Sequence, residues 1–122
     1  MQQWIRIKNL GDRKKLFVYG TLKKGKSNDH ILKNATWIGV DKVFGFEMRN
    51  LGSFPGATKM PHAWIHGEVY EIDERDLIRV DRLESYPSFY DRELVKTDKG
   101  YEAWIYFISA TTKNTVIESG RW

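Results

Sequence analysis

The sequence of 122 residues contains no cysteine and no long apolar run. Without cysteine the chain has no disulfide framework, no cysteine-bound zinc site and no thiol nucleophile, and it suits a reducing compartment. No apolar run approaches the ~20 residues that a membrane-spanning helix needs. The N-terminal stretch MQQWIRIKNLGDRKK also lacks the apolar core of a secretory signal. We therefore expect a cytoplasmic protein without a membrane partner.

Linker-like composition is absent as well. No Pro/Gly/Ser-rich segment, internal repeat or low-complexity tract divides the chain. The length suits one domain, since domains commonly hold ~100–150 residues. Aromatic residues make up 14% of the chain, which a disordered tail would not carry. The sequence predicts one domain over residues 1–122.

Charge is divided unevenly between the two parts of the chain. Residues 1–49 carry 11 Lys and Arg against 4 Asp and Glu, a net of +7, whereas residues 50–122 carry 9 against 12, a net of −3. A basic block of this kind raises the question of nucleic-acid binding. No RNA-binding signature accompanies these lysines, and such residues usually form a solvated face. We expect no nucleic-acid partner.

The apolar pattern predicts an α+β domain. A short helix is expected over Asn28–Asn34, and a longer one begins after an Asp73 N-cap and ends at Leu83 or Glu84, before Pro87. Leu51–Pro61 is expected to be a loop because it is rich in Gly and Pro. The last predicted strand, Tyr101–Ser109, is apolar on both faces, which indicates a closed or covered sheet. Five strands are predicted: Leu16–Tyr19, Val43–Met48, Trp64–Ile72, Tyr90–Thr97 and Tyr101–Ser109.

The segment Gly20–Ser27 fits the phosphate-loop pattern G-x-x-x-x-G-K-[ST] letter for letter. It follows a predicted strand, and Lys26 and Ser27 stand where such a loop binds phosphate and magnesium. Against this, Asp29 brings a carboxylate to the same place, and no later apolar strand ends in an aspartate for the metal. Nucleotide binding is therefore the weaker alternative.

Glu84 is the most informative carboxylate in the sequence. It follows Leu77 by seven residues and Val80 by four, which places it on the inward stripe of the predicted helix. Burial and the negative end of the helix dipole both raise a carboxyl pKa, towards values useful for proton transfer. The alternative is a glutamate that caps the turn or pairs with Arg82 or Arg92.

Two segments of the chain resemble signatures of the gamma-glutamylcyclotransferase-like (AIG2-like) family. The first is FVYGTLKKG at residues 17–25, and the second runs from GEVYEIDE at 67–74 through DRLESYP at 81–87 to YDR at 90–92. The residues of these segments are most similar to the gamma-glutamylamine cyclotransferase branch of the family. The resemblance covers most of the chain from Leu16 onward. The resemblance implies a small mixed β-barrel with short flanking helices.

The resemblance also implies a reaction. Family members release 5-oxoproline and a free amine when the substrate's own α-amine attacks its gamma-glutamyl carbonyl. Because the substrate supplies the nucleophile, no cofactor or metal is expected. Glu84 is implied as general acid and base, and Tyr90 as a hydrogen-bond partner of the substrate or of Glu84, unless it is only a core tyrosine. Backbone amides for the oxyanion and the substrate carboxylate would come from Tyr19, Gly20, Thr21 and Leu22.

Other assignments remain open at this stage. A non-catalytic module that binds small molecules on the same fold is the main alternative to an enzyme. His62, His66 and Glu68 share one face of a strand, but no further His or Cys completes a zinc site, so no metal is expected. The expected partner is a small gamma-glutamyl substrate, and the expected state is a monomer or a weak dimer.

Overall fold

Eight elements follow one another in the computed structural model, which describes residues 13–109 and 114–122. The first twelve residues, on which most of the signal-peptide expectation depends, lie outside this range. The helix of the second half is called α1, and the strands are numbered in chain order. The elements are β1 (Lys14–Val18), a 3₁₀ turn (Asp29–Leu32), β2 (Thr36–Asn50), β3 (Pro55–Ile72), α1 (Glu74–Leu83), β4 (Asp91–Lys96), β5 (Glu102–Phe107) and β6 (Thr115–Ile117).

The described strands form one mixed sheet in the order β4-β5-β1-β3-β2-β6. β1 and β5 run parallel, with Leu16 opposite Trp104, and every other neighbouring pair is antiparallel. The sheet curls into a half-barrel, and α1 packs against β3 and the 3₁₀ turn. The predicted α+β class is confirmed. In the part of the chain that is described, no helix has both the length and the apolar character needed to cross a membrane.

A long hairpin of β2 and β3 forms the centre of the sheet. Its pairing runs from Thr36 opposite Glu71 to Asn50 opposite Pro55. The predicted strands at 43–48 and 64–72 are only parts of it, and the predicted loop was wrong for residues 55–61, which belong to β3. Pro55 is tolerated because it starts the strand, and Pro61 because residues 60–63 have no partner in β2.

Both faces of the sheet are covered by apolar side chains. Successive residues of β1 alternate between the two sides, with Leu16 and Val18 in one cluster and Phe17 in the other. β5 does the same, since Ile105 and Tyr106 belong to opposite clusters. The prediction of a strand covered on both faces is confirmed, and the alternation places Val18 and Tyr106 under α1.

The ends of α1 follow local rules. At the start, the Asp73 carboxylate accepts the Asp76 N–H at 2.8 Å and the Asp73 N–H donates to the Asp76 carboxylate at 3.1 Å, which is a capping box. The predicted N-cap is confirmed. The other predicted helix, at 28–34, is only a 3₁₀ turn over residues 29–32. The Asn28 side chain makes no cap hydrogen bond there, and its amide donates to Thr21 Oγ1 at 2.9 Å.

The end of α1 is a Schellman motif around Glu84. The Tyr86 N–H donates to the Asp81 carbonyl at 2.9 Å, and the Ser85 N–H donates to the Arg82 carbonyl at 3.2 Å. Glu84 is the C-cap residue, and Ser85 adopts the left-handed conformation with φ of 51°. Glycine usually occupies this position, because side chains crowd the backbone there.

Ser85→Gly should raise the free energy of unfolding by about 0.5–1 kcal/mol, because glycine adopts the left-handed conformation without steric cost. Urea denaturation followed by circular dichroism measures the change. Ser85→Ala is the matched control, since it removes the hydroxyl and keeps the Cβ, so it should bring no gain. Equal stabilisation by both variants would show that the hydroxyl, not the backbone, carries the cost.

Candidate active site

A cavity of about 460 Å³ lies between the end of β1, the start of β3 and the turn that follows α1. Residues that are distant in the sequence meet there, because β1 pairs with β3 and α1 packs over the sheet. Every site residue predicted from the sequence lines this cavity: Tyr19, Gly20, Thr21, Leu22, Glu84 and Tyr90.

Glu84 lies half-buried on the cavity wall. Burial raises its pKa from the ordinary 4.5 to about 7. Among the described residues its carboxylate has neither a hydrogen-bond donor nor a basic partner within ion-pair distance. The alternative pairing with Arg92 is not observed, because Arg92 binds Asp81, with its Nε 2.9 Å from Asp81 Oδ1.

Three tyrosines surround Glu84, and each donates its hydroxyl proton to an acceptor other than Glu84. Tyr19 donates to the Tyr106 carbonyl at 2.7 Å, Tyr90 to the Pro55 carbonyl at 2.6 Å, and Tyr106 to the Asp81 carboxylate. Burial, and next to it the charge of Glu84, raises the pKa of Tyr90 well above its usual range. These hydroxyls therefore stay protonated, and none of them has a second proton to give to a ligand.

The turn after β1 presents backbone N–H groups. The carbonyls of Gly20 and Thr21 accept the Lys23 and Asn28 N–H groups at 3.0 and 2.8 Å, which closes the turn. Within the described chain, the N–H groups of Gly20, Thr21 and Leu22 donate to no protein acceptor. Unpaired N–H groups beside a cavity are ready donors for an anion.

Gly20 is required by packing as well as by its position in the turn. A Cβ added at Gly20 would lie 2.7 and 2.8 Å from two ring carbons of Pro55. The sequence analysis had named Gly20 only as a source of a backbone amide. The close neighbour in the structure is the Pro55 ring, which itself lines the cavity.

The rest of the Gly- and Lys-rich loop is occupied by carboxylates. The Lys24 N–H donates to Glu68 Oε1 at 2.9 Å, and the Gly25 N–H donates to Asp29 Oδ2 at 2.9 Å. The loop is followed by a single 3₁₀ turn over residues 29–32, not by a helix that starts a phosphate site. The phosphate-loop alternative was therefore wrong: two carboxylates hold the amides that phosphates would need.

His62 and His66 do not come together at the cavity. His62 packs against the Phe44 ring, with ring centroids 6.0 Å apart, whereas His66 and Glu68 line a separate cleft of about 380 Å³. Over the described ranges, no three or more His, Asp or Glu side chains are grouped so that they could hold a metal ion.

Several cavity residues could not be found by reasoning from the sequence. Ser53, Phe54 and Pro55 line the cavity from a segment that the sequence predicted only as a loop. Tyr106 looked like any core residue of a strand. Its role is visible only when β5 pairs with β1 and brings it beside α1.

Comparison with known proteins identifies the family. The family model "Gamma-glutamyl cyclotransferase, AIG2-like" matches residues 16–122. The gamma-glutamylcyclotransferase family protein ytfP of Citrobacter rodentium is 36% identical over 109 residues, which are 88% of this chain and 94% of the relative. The chain belongs to the gamma-glutamyl cyclotransferase, AIG2-like family, which confirms the resemblance predicted from the two signatures.

Solved structures agree with this assignment. The solution structure of ytfP from Escherichia coli is 36% identical and superimposes with a TM-score of 0.69, covering 88% of this chain and 95% of that chain. The crystal structure of an uncharacterized protein from Pyrococcus horikoshii is 30% identical, with a TM-score of 0.76 and 88% of both chains covered. Both support the curled sheet described above.

Gly20→Ala should lower the free energy of unfolding by about 1–3 kcal/mol, the usual cost of adding a carbon to a packed site. Thermal denaturation measures the loss. The matched control is the same change in a Pro55→Ala background, where the two ring carbons are gone. A loss of the same size in both backgrounds would contradict the assigned contact.

Glu84→Gln should stabilise the protein near neutral pH. Because folding raises the pKa of Glu84 from 4.5 to about 7, the wild-type free energy of unfolding falls as pH rises across this window and stays lower above it. The variant avoids this loss, which is about 3 kcal/mol at pH 8. Urea denaturation of both proteins near pH 4 and pH 8 measures the difference.

The matched control is Glu74→Gln, at the exposed first position of the same helix. It removes a carboxylate without relieving burial, so its stability relative to wild type should not improve between the two pH values. If Glu84→Gln gains nothing at the higher pH, the Glu84 carboxylate is solvated and the cavity assignment of its side chain is wrong.

Proposed function

We propose that this protein is a gamma-glutamylamine cyclotransferase, which converts a gamma-glutamyl amine to 5-oxoproline and a free amine. One observation carries the proposal: Glu84, with a pKa raised to about 7, lines the same cavity as the unpaired amides of Gly20, Thr21 and Leu22. A base near neutral pKa and an anion-binding turn are the two elements that this acyl transfer needs.

The first step is attack by the substrate's own amine. The Glu84 carboxylate takes a proton from the α-ammonium group, and the freed amine attacks the gamma carbonyl carbon to form the ring C–N bond. The attacking amine and the gamma carbonyl belong to the same substrate molecule. The cavity therefore has only to hold the substrate in a conformation that brings these two groups together. The carbonyl oxygen becomes an oxyanion, which accepts hydrogen bonds from N–H groups of the turn at 20–22.

The second step expels the amine. Once protonated, Glu84 is a carboxylic acid that donates its proton to the leaving nitrogen while the original C–N bond breaks. The ring nitrogen gives up its second proton as the oxyanion collapses, and water carries this proton to the departing nitrogen, so the product amine leaves as an ammonium. Glu84 ends as it began, as a carboxylate, and no cofactor takes part in this scheme.

The cavity favours an amine over an amino acid as the leaving group. Among the described residues that line it, Glu84 is the one side chain that carries charge, and no Lys, Arg or His accompanies it. The N–H groups of the turn at 20–22 can serve the single α-carboxylate of a gamma-glutamyl group. A leaving amino acid would bring a second carboxylate with no cation to pair it, and burial of an unpaired charge is costly.

The test is the release of 5-oxoproline from simple gamma-glutamyl amines, with gamma-glutamyl-ε-lysine, whose leaving group carries charge, measured beside them. Glu84→Gln should lower kcat by about 10²–10⁴-fold, the range for a lost general acid and base. In wild type, kcat/KM should rise tenfold per pH unit below about 7 and then level, since the carboxylate is the active form. Glu74→Gln serves as the matched control and should retain activity.

Two outcomes would contradict the proposal. Full activity in Glu84→Gln would show that Glu84 is not the general acid and base, although the proposed overall reaction would stand. Binding of gamma-glutamyl amides by calorimetry without any 5-oxoproline would leave a non-catalytic binding module, the alternative that the same cavity also permits.

A further inference from the structure

The mouth of the cavity is aromatic. Phe54 and Phe89 line it and remain 38% and 52% exposed, whereas the inner residues Tyr19 and Tyr90 are buried. The rings of Phe54 and Phe89 meet edge to face, with centroids 6.3 Å apart, and Phe89 meets Tyr90 in the same way at 5.0 Å. A continuous aromatic wall therefore leads from the core to the solvent.

The segments that carry both rings are held by hydrogen bonds to the part of the cavity that contains Glu84. The Phe89 N–H donates to the Ser85 carbonyl at 2.8 Å, one residue beyond Glu84. Phe54 precedes the buried Pro55, and its carbonyl accepts the Leu51 N–H at 3.0 Å. The hydrogen bond from Tyr90 to Pro55 joins the two segments. The wall is thus held in place before any ligand arrives, which reduces the entropic cost of binding.

The charged group of the cavity, the half-buried Glu84, differs from the exposed residues at the mouth, which carry no charge. Glu84 and the turn at 20–22 take the glutamyl part of a substrate, so the leaving amine points toward the mouth. There the lining residues are uncharged, namely Ser53, Phe54, Leu83, Ser85 and Phe89. Large half-exposed aromatic side chains gain most from contact with another apolar surface.

We propose that Phe54 and Phe89 form the leaving-group subsite, and that it selects amines with an uncharged aromatic substituent. This inference rests on the proposed cyclotransferase function and goes beyond it by naming the substrate class. A ring on the leaving amine would stack on the aromatic wall while the amide nitrogen stays within reach of Glu84. A leaving group with a charged end, such as the free amino-acid end of gamma-glutamyl-ε-lysine, would have no partner at this mouth.

The experiment compares 5-oxoproline release from gamma-glutamyl-phenethylamine, gamma-glutamyl-ethylamine and gamma-glutamyl-phenylalanine. The first two differ by a phenyl ring, and the first and third by a carboxylate. Burial of a ring should raise kcat/KM by about 10–100-fold for the phenethyl over the ethyl substrate. The carboxylate of the phenylalanine substrate should lower kcat/KM again by at least about tenfold.

Two variants test whether Phe54 and Phe89 cause the preference for the phenethyl over the ethyl substrate. Phe89→Ala and Phe54→Leu should each reduce the phenethyl-to-ethyl ratio of kcat/KM to within a few-fold. Phe44→Ala is the matched control, because Phe44 is 51% exposed on β2 and packs against Trp64 and His62, away from the cavity. It should leave the ratio as in wild type.

The outcomes separate the two proposals. Equal kcat/KM for the phenethyl and ethyl substrates, or a preference for a charged leaving group, would overturn the subsite and leave the cyclotransferase function intact. A phenyl preference that survives both variants would also overturn it, since the ring would then bind elsewhere. No 5-oxoproline from any of the substrates, gamma-glutamyl-ε-lysine included, would overturn the proposed function and the subsite together.

Discussion

The hydrogen bond from the Tyr90 hydroxyl to the Pro55 carbonyl, 2.6 Å long and buried, joins the segments that make the cavity. Tyr90 ends the turn that begins at Glu84, and Pro55 begins β3 beside the rim residue Phe54. The Pro55 ring also packs against Gly20, at the start of the turn whose amides are free. Three segments distant in the sequence therefore meet at one residue. Loss of this bond would leave a buried hydroxyl and a buried carbonyl without partners.

A second tyrosine, Tyr19, also joins segments that line the cavity. The Tyr19 hydroxyl accepts the Ala57 N–H at 3.0 Å and donates to the Tyr106 carbonyl at 2.7 Å, so it links β1, β3 and β5. Both tyrosines thus use their protons to hold the scaffold together. The Glu84 carboxylate and the N–H groups of the turn at 20–22 remain available to a ligand. The tyrosine hydroxyls that line the cavity therefore serve the scaffold and have no proton to donate to a substrate.

The features that depend on neighbours in sequence could be predicted, and those that depend on distant contacts could not. The Asp73 cap and the inward position of Glu84 follow from helix periodicity and capping rules. The strand at 55–61 was missed because Gly and Pro there signal a turn, whereas its place in the sheet depends on pairing with β2 and packing under Gly20. The partner of Tyr90 was equally hidden, since 35 residues separate it from Pro55.

Glu84 differs from three paired carboxylates of the described structure in how its burial is compensated. Asp81 is paired with Arg92, Glu47 with Arg49, and the fully buried Asp76 with Arg79 and the Asp73 N–H. Each of these carboxylates contributes to the fold through its salt bridge. Glu84 is half-buried without such a partner in the described structure, so its charge costs stability. A cost of this kind is expected at functional sites, where the raised pKa is useful. The fold tolerates it because the Schellman turn and the tyrosine hydrogen bonds hold the Glu84 backbone, not its carboxylate, in place.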